Sequence, residues 1–156
     1  MSTWSVCNWP GLGATIVLTC VWLVFNTESA RPEGVEFKPL DLVLAQEQSV
    51  NIRYYALKRC VAAYGNLQLI FHEVPGLEEQ NERIERAQTI FLSYILKEFA
   101  PENGISTTPD AVFESIGTIL DLYMENSQEN YAATGNIVSD FLQADVRICN
   151  EFLESM

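Results

Sequence analysis

One histidine, His72, serves a chain of 156 residues, and its isolation excludes several chemistries. A zinc protease of the HExxH kind needs two imidazoles one helical turn apart, whereas His72-Glu73 runs into Val74-Pro75-Gly76 with no second histidine. A ferritin-like di-iron site needs an acid three residues before its histidine, and Leu69 stands there. Serine and cysteine nucleophiles require a base, and His72 lies beside the Pro75 turn, where a solvated imidazole is expected. Positive charge is also short. Nine Lys and Arg face 21 Asp and Glu, a net charge of -12, which repels phosphate backbones, so no nucleic-acid partner is expected. The four cysteines, Cys7, Cys20, Cys60 and Cys149, are too dispersed for C-x-x-C-H haem attachment or for zinc held by cysteine pairs. Gly11 and Gly13 lack the third glycine of a phosphate loop. The sequence therefore predicts no metal site and no cofactor.

The amino-terminal segment is defined by a further absence, since no charged side chain occurs from Met1 to Thr27 and the run Gly11 to Phe25 is apolar apart from Thr15 and Thr19. Its densest part suits the hydrophobic region of a signal peptide, while the whole window reaches the ~20 residues of a spanning helix. Thr27 and Ser29 put small residues where a signal peptidase reads them, although no basic residue precedes Arg31. Retention as an anchor is favoured by Trp4, Trp9 and Trp22, all within the segment, because Trp prefers membrane interfaces. A buried core helix is the third alternative, and the rest of the chain patterns well without it. Residues 1–29 are thus expected to be a signal peptide or membrane anchor, the sole membrane contact of an exported, periplasmic or extracellular protein. Residues 30–39, with Pro32, Gly34 and Pro39, read as a tether, and residues 40–156 as the folded domain.

Removal of residues 1–29 takes away Cys7 and Cys20 and leaves Cys60 and Cys149, an even remainder that suits a disulfide. The domain divides at Pro75-Gly76, at Pro101 to Pro109 and at Gly135 into four segments of helical length. The first, Leu40 to Val74, is broken near Ser49, which caps the longer part; apolar side chains from Ile52 to Val74 recur at spacings of three and four. The second, Leu77 to Phe99, opens with Glu78, Glu79 and Glu82 and carries the i,i+4 pairs Glu79–Arg83 and Glu82–Arg86. The third starts with Thr108 as cap, Pro109 in the first helical position and Asp110 in the first turn. The fourth follows Gly135, and Asp145 interrupts its stripe. Four such helices with short connections predict an all-α, up-down-up-down four-helix bundle. In it Cys60 and Cys149 fall near mid-height on facing helices.

One cluster stands out. Arg53, Tyr54, Tyr55, Lys58 and Arg59 gather three of the nine cations within seven residues, and phenols beside cations hold carboxylate or phosphate. Against that, eleven acids and the single base Arg147 lie from Glu98 onward, so these cations are also expected to pair with the last two helices, Arg59 with Asp145. The leading expectation is a non-catalytic, exported module that binds a protein partner or a small anionic ligand. The alternatives are a membrane-anchored accessory subunit and an enzyme working through carboxylates or the Tyr and Arg cluster.

If the apolar segment is separate from the core, deleting Met1 to Ser29 leaves a soluble domain that keeps its helical circular dichroism and melts cooperatively. Aggregation or loss of helicity on deletion would place the segment inside the fold.

Overall fold

The computed structural model describes residues 37–72 and 74–156, so the expectations for residues 1–29 and for most of the tether lie outside the described residues. Helices α1 (Leu40–Gln46), α2 (Val50–Phe71), α3 (Glu78–Tyr94), α4 (Pro109–Thr134) and α5 (Asp140–Ser155) follow one another. Among the described residues there is no strand, and the fold is an all-helical bundle.

Local chemistry sets the helix ends. The hydroxyls of Ser49, Thr108 and Ser139 accept the N–H groups of Ile52, Ala111 and Leu142 at 3.3, 3.2 and 3.0 Å, each satisfying a donor that a helix start leaves open. Gly135 ends α4 at φ 76°, a left-handed conformation that costs a glycine little, and donates its N–H to Tyr131 O. Of the two expected ion pairs on α3, Glu79–Arg83 closes at 2.5 Å; Glu82–Arg86 does not. Beyond Tyr94 the helix continues as a π turn, Ile95–Phe99, and a last turn, Ala100–Glu102. Pro101 accounts for the widening. It has no N–H to give Lys97 O and its ring crowds that carbonyl, and the wider turn, with Ala100 N–H on Ile95 O, accommodates both.

The contacts fix the helix directions. Asn81 meets Phe71 O, Gln88 meets Val61 O and Tyr54 stacks on Phe99, so α2 and α3 are antiparallel. Lys58 meets Ser115 and Asn66 meets Ser127, so α4 runs with α2. Cys149 meets Cys60, while Phe152 lines one cavity with Leu57 and Arg53, so α5 runs against α2. The order is up-down-up-down, with α1 added across the start. Helix α2 is the axis, packing against α1, α3, α4 and α5. Its sequence predicts one stripe, yet Ala56 to Leu67 are buried all round except Lys58. Small side chains allow this: a Cβ on Gly65 would stand 3.0 Å from Gln88 of α3 and 3.6 Å from Leu120 of α4.

The chain joins the bundle before Leu40, inside the stretch expected to be a tether. Phe37 places its ring 4.9 Å from those of Tyr123 and Phe141, and Leu40 is fully buried. Cys60 of α2 and Cys149 of α5, both inaccessible to solvent, are placed as a disulfide with 5.4 Å between their Cα atoms.

Closing a loop of 89 residues stabilises a fold by about 4 to 5 kcal/mol in the chain-entropy account. Peptide mapping without reductant is expected to recover Cys60 joined to Cys149, and reduction to shift urea unfolding by an amount of that order. Free thiols on alkylation after denaturation, or a midpoint indifferent to reductant, would exclude the bridge.

Candidate functional site

Arg59 precedes Cys60 on α2, and Asp145 lies one turn before Cys149 on α5, so the cysteine pair sets the two charges opposite each other. Both are fully buried, and they form an ion pair through the Arg59 Nη2 and Asp145 Oδ2 atoms. Tyr123 of α4 completes the group, its hydroxyl donating to Asp145 Oδ2 and accepting from Arg59 Nε at 3.2 Å. Two backbone groups add to the node. Leu40 N–H donates to Asp145 Oδ1 at 2.7 Å, and Arg59 Nη1 donates to Lys38 O at 2.7 Å. Asp145 thereby caps α1 from across the fold, since Pro39 has no side-chain donor or acceptor for the purpose.

Aromatic rings close the remaining space. The Arg59 guanidinium carbon lies 4.4 Å from the Phe37 ring centre, and Tyr55, Tyr123 and Phe141 stand within 5.7 Å, an arrangement in which ring quadrupoles attract the cation. Burial alone disfavours the charged guanidinium, but the Tyr123 and Asp145 oxygens outweigh it and raise the Arg59 pKa. Burial also lifts the Tyr123 hydroxyl far above the ordinary phenol range; Arg59 works against the rise and Asp145 reinforces it. Tyr123 is therefore a neutral hydrogen-bond donor. Every charge in the node is matched and no surface is left for a reactant.

The remaining residues of the sequence cluster scatter. Tyr55 faces Arg59. Lys58 donates to Ser115 Oγ of α4 at 2.8 Å and sits 4.5 Å from the Tyr54 ring centre, with its pKa lowered by burial. Tyr54 stacks on Phe99 at the end of α3. Arg53 alone faces an open space, a half-open cavity of about 280 Å³ that it lines with Leu57, Tyr94, Phe99, Phe152, Ser155 and Met156. Arg53 is exposed and makes no hydrogen bond or ion pair among the described residues. The Ser155 hydroxyl is engaged with Phe152 O at 2.7 Å. A shallower hollow adjoins the cavity, shares Tyr94 and Met156 with it and carries Glu98 with Ile90 and Leu153.

Sequence reasoning pairs Arg59 with Asp145 but misses Tyr123, Phe37 and the Lys38 and Leu40 backbone groups. It also misses a second buried polar contact, Asn66 Nδ2 to Ser127 Oγ at 2.8 Å. The walls of the Arg53 cavity come from three helices and leave no local signature. Among the described residues no three His, Cys, Asp or Glu side chains gather as a metal-ligand set. Nor is any of their helices long and apolar enough to cross a membrane. Comparison with known proteins returns no matching family model, no matching curated protein and no matching solved structure.

Breaking a buried pair by removing one member costs ~3 to 5 kcal/mol because the other charge is left unpaired. Arg59→Ala and Asp145→Ala are each expected to lower the melting temperature strongly, and the double variant to lose less than the sum. Thermal or urea unfolding of the four proteins measures the coupling; strictly additive losses would show that the two side chains do not act together.

Proposed function

We propose that this chain is an exported helical module, stapled by Cys60–Cys149, that works by binding rather than by catalysis, with the Arg53 cavity as its binding site. The observation that carries this reading is the contrast between two arginines of α2. Arg59 has all three guanidinium nitrogens engaged in a sealed node, whereas Arg53 has no ionic partner among the described residues and lines a cavity of mixed polar and apolar walls. A few polar groups over an apolar floor are the usual composition of a small-molecule site. Export is supported by the charge-free apolar segment Met1 to Thr27 and by a cysteine pair at disulfide distance, since such bonds persist in oxidising compartments.

A membrane-anchored accessory subunit is the second reading, and the docking of Phe37 to Leu40 on the bundle favours it. The segment that would link a retained anchor to the bundle is thereby fixed at its domain end.

Mass measurement on the native protein tests both. The proposed protein has a mass that starts near Ala30, and under non-denaturing conditions it carries a small molecule that Ser155→Trp, which plugs the cavity mouth, excludes. A membrane fraction holding Met1 to Ser29 intact selects the anchored subunit. Bare protein with and without the plug overturns the binding reading.

A further inference from the structure

We infer, resting on the reading of the Arg53 cavity as a binding site, that its ligand is a small monocarboxylate with an apolar body. The charge argument starts from the guanidinium. Arg53 presents a planar fork of donors whose geometry matches a carboxylate, and no acid of the described chain occupies it even though acids outnumber bases 21 to 9. Tyr94, on the wall of the same cavity, has a hydroxyl that makes no hydrogen bond among the described residues, so a second donor is at hand. Ser155 is already committed to the Phe152 carbonyl.

One cation sets an upper limit on ligand charge. A phosphate or dicarboxylate brings about two negative charges to a protein of net charge -12, and a single exposed arginine does not balance them; phosphate sites ordinarily add backbone N–H groups or further cations. The adjoining hollow reinforces the asymmetry, because Glu98 repels an anion from that side and leaves the Arg53 end for the carboxylate.

The body of the ligand follows from the walls. Leu57, Phe99, Phe152 and Met156 offer aliphatic and aromatic surface beside the polar groups of Arg53, Tyr94 and Ser155. A dry apolar cavity of ~150 Å³ holds one benzene, so a half-open cavity of about 280 Å³ has room for an eight-carbon chain or a phenylalkyl group. The sealed node offers no competing site, as Arg59, Asp145 and Tyr123 are fully buried and bonded to one another.

Titration calorimetry on the full chain with octanoate, octanol and octylammonium separates the charge from the chain. Octanoate is expected to bind at least tenfold more tightly than octanol, and octylammonium more weakly than either. Arg53→Gln lowers octanoate affinity about tenfold, Arg53→Lys restores part of it, and Ser155→Trp abolishes binding. Equal affinities for octanoate and octanol, or octanoate binding indifferent to Arg53→Gln, would overturn the carboxylate assignment while the cavity stands as a binding site. Octanoate binding that survives Ser155→Trp puts the carboxylate elsewhere and overturns the inference. If none of the three probes binds, the inference and the reading of the cavity fall together.

Discussion

A carboxylate taken out of water must find compensation for everything it loses, and Asp145 finds it in three stretches of chain besides its own. Arg59 comes from α2, Tyr123 from α4, the Leu40 amide from the start of α1, and the carboxylate itself from α5. None of these partners is optional once the charge is buried, because an unpaired ion in the interior costs several kcal/mol while the assembled pair contributes little net stability. The node therefore acts through what it forbids. A packing in which α5 slides by one turn, or in which the chain before α1 stays in solvent, strands a charge or a backbone group, whereas a purely apolar stripe would tolerate either. We regard the node as the device that selects one register for helices whose stripes are otherwise interchangeable.

The disulfide lies in the same layer, and its position next to Arg59 and one turn from Asp145 gives the two interactions a shared geometry. Cys60 and Cys149 fix the distance between α2 and α5 at one height, and the ion pair fixes which faces look at each other there. Tyr64, one turn further along α2, adds a third link at the same crossing by donating to Asn150 Oδ1 at 2.5 Å, with burial pushing its hydroxyl pKa up to about 12. Covalent, ionic and neutral polar contacts thus succeed one another along a single helix contact. At α3 and α4, α2 combines Ala62, Ala63, Gly65 and their apolar neighbours with side-chain hydrogen bonds such as Gln88 to Val61 O and Asn66 to Ser127, so close approach and directed bonds act together.

What could be read from the sequence was what a few neighbouring residues decide together. Ser49, Thr108 and Gly135 mark helix ends because the caps act within one turn, and the Arg59–Asp145 pair could be inferred because a disulfide expectation brought two charges at known offsets to one place. The docked chain before α1 was not legible for the opposite reason. Lys38 and Leu40 take part through backbone groups, which every residue has, toward partners 21 and 105 positions away. The π turn before Pro101 shows an intermediate case. A proline within an apolar period announces a break, but the helix widened instead of stopping, because Ile95, Phe99 and Ala100 are worth burying and a wider turn keeps them on the core side.

Arg53 and Arg59 illustrate how little a residue type says about its role. They lie on one helix, separated by about 9 Å along its axis, and the sequence offers the same side chain twice within one cluster. The difference is on the helix across. Opposite Arg59, α5 presents Asp145, and the guanidinium is drawn inward, stripped of water and used up. Toward Arg53 the same helix end presents Phe152, Ser155 and Met156, and the Ser155 hydroxyl is spent on its own backbone, so among the described residues the guanidinium meets no acidic side chain and keeps its donors. An acid at position 152 would have made a second structural clamp. With a ring there, α5 builds a wall beside a cation that has no ionic partner among the described residues, and the same side chain that is structural at position 59 is left available at position 53.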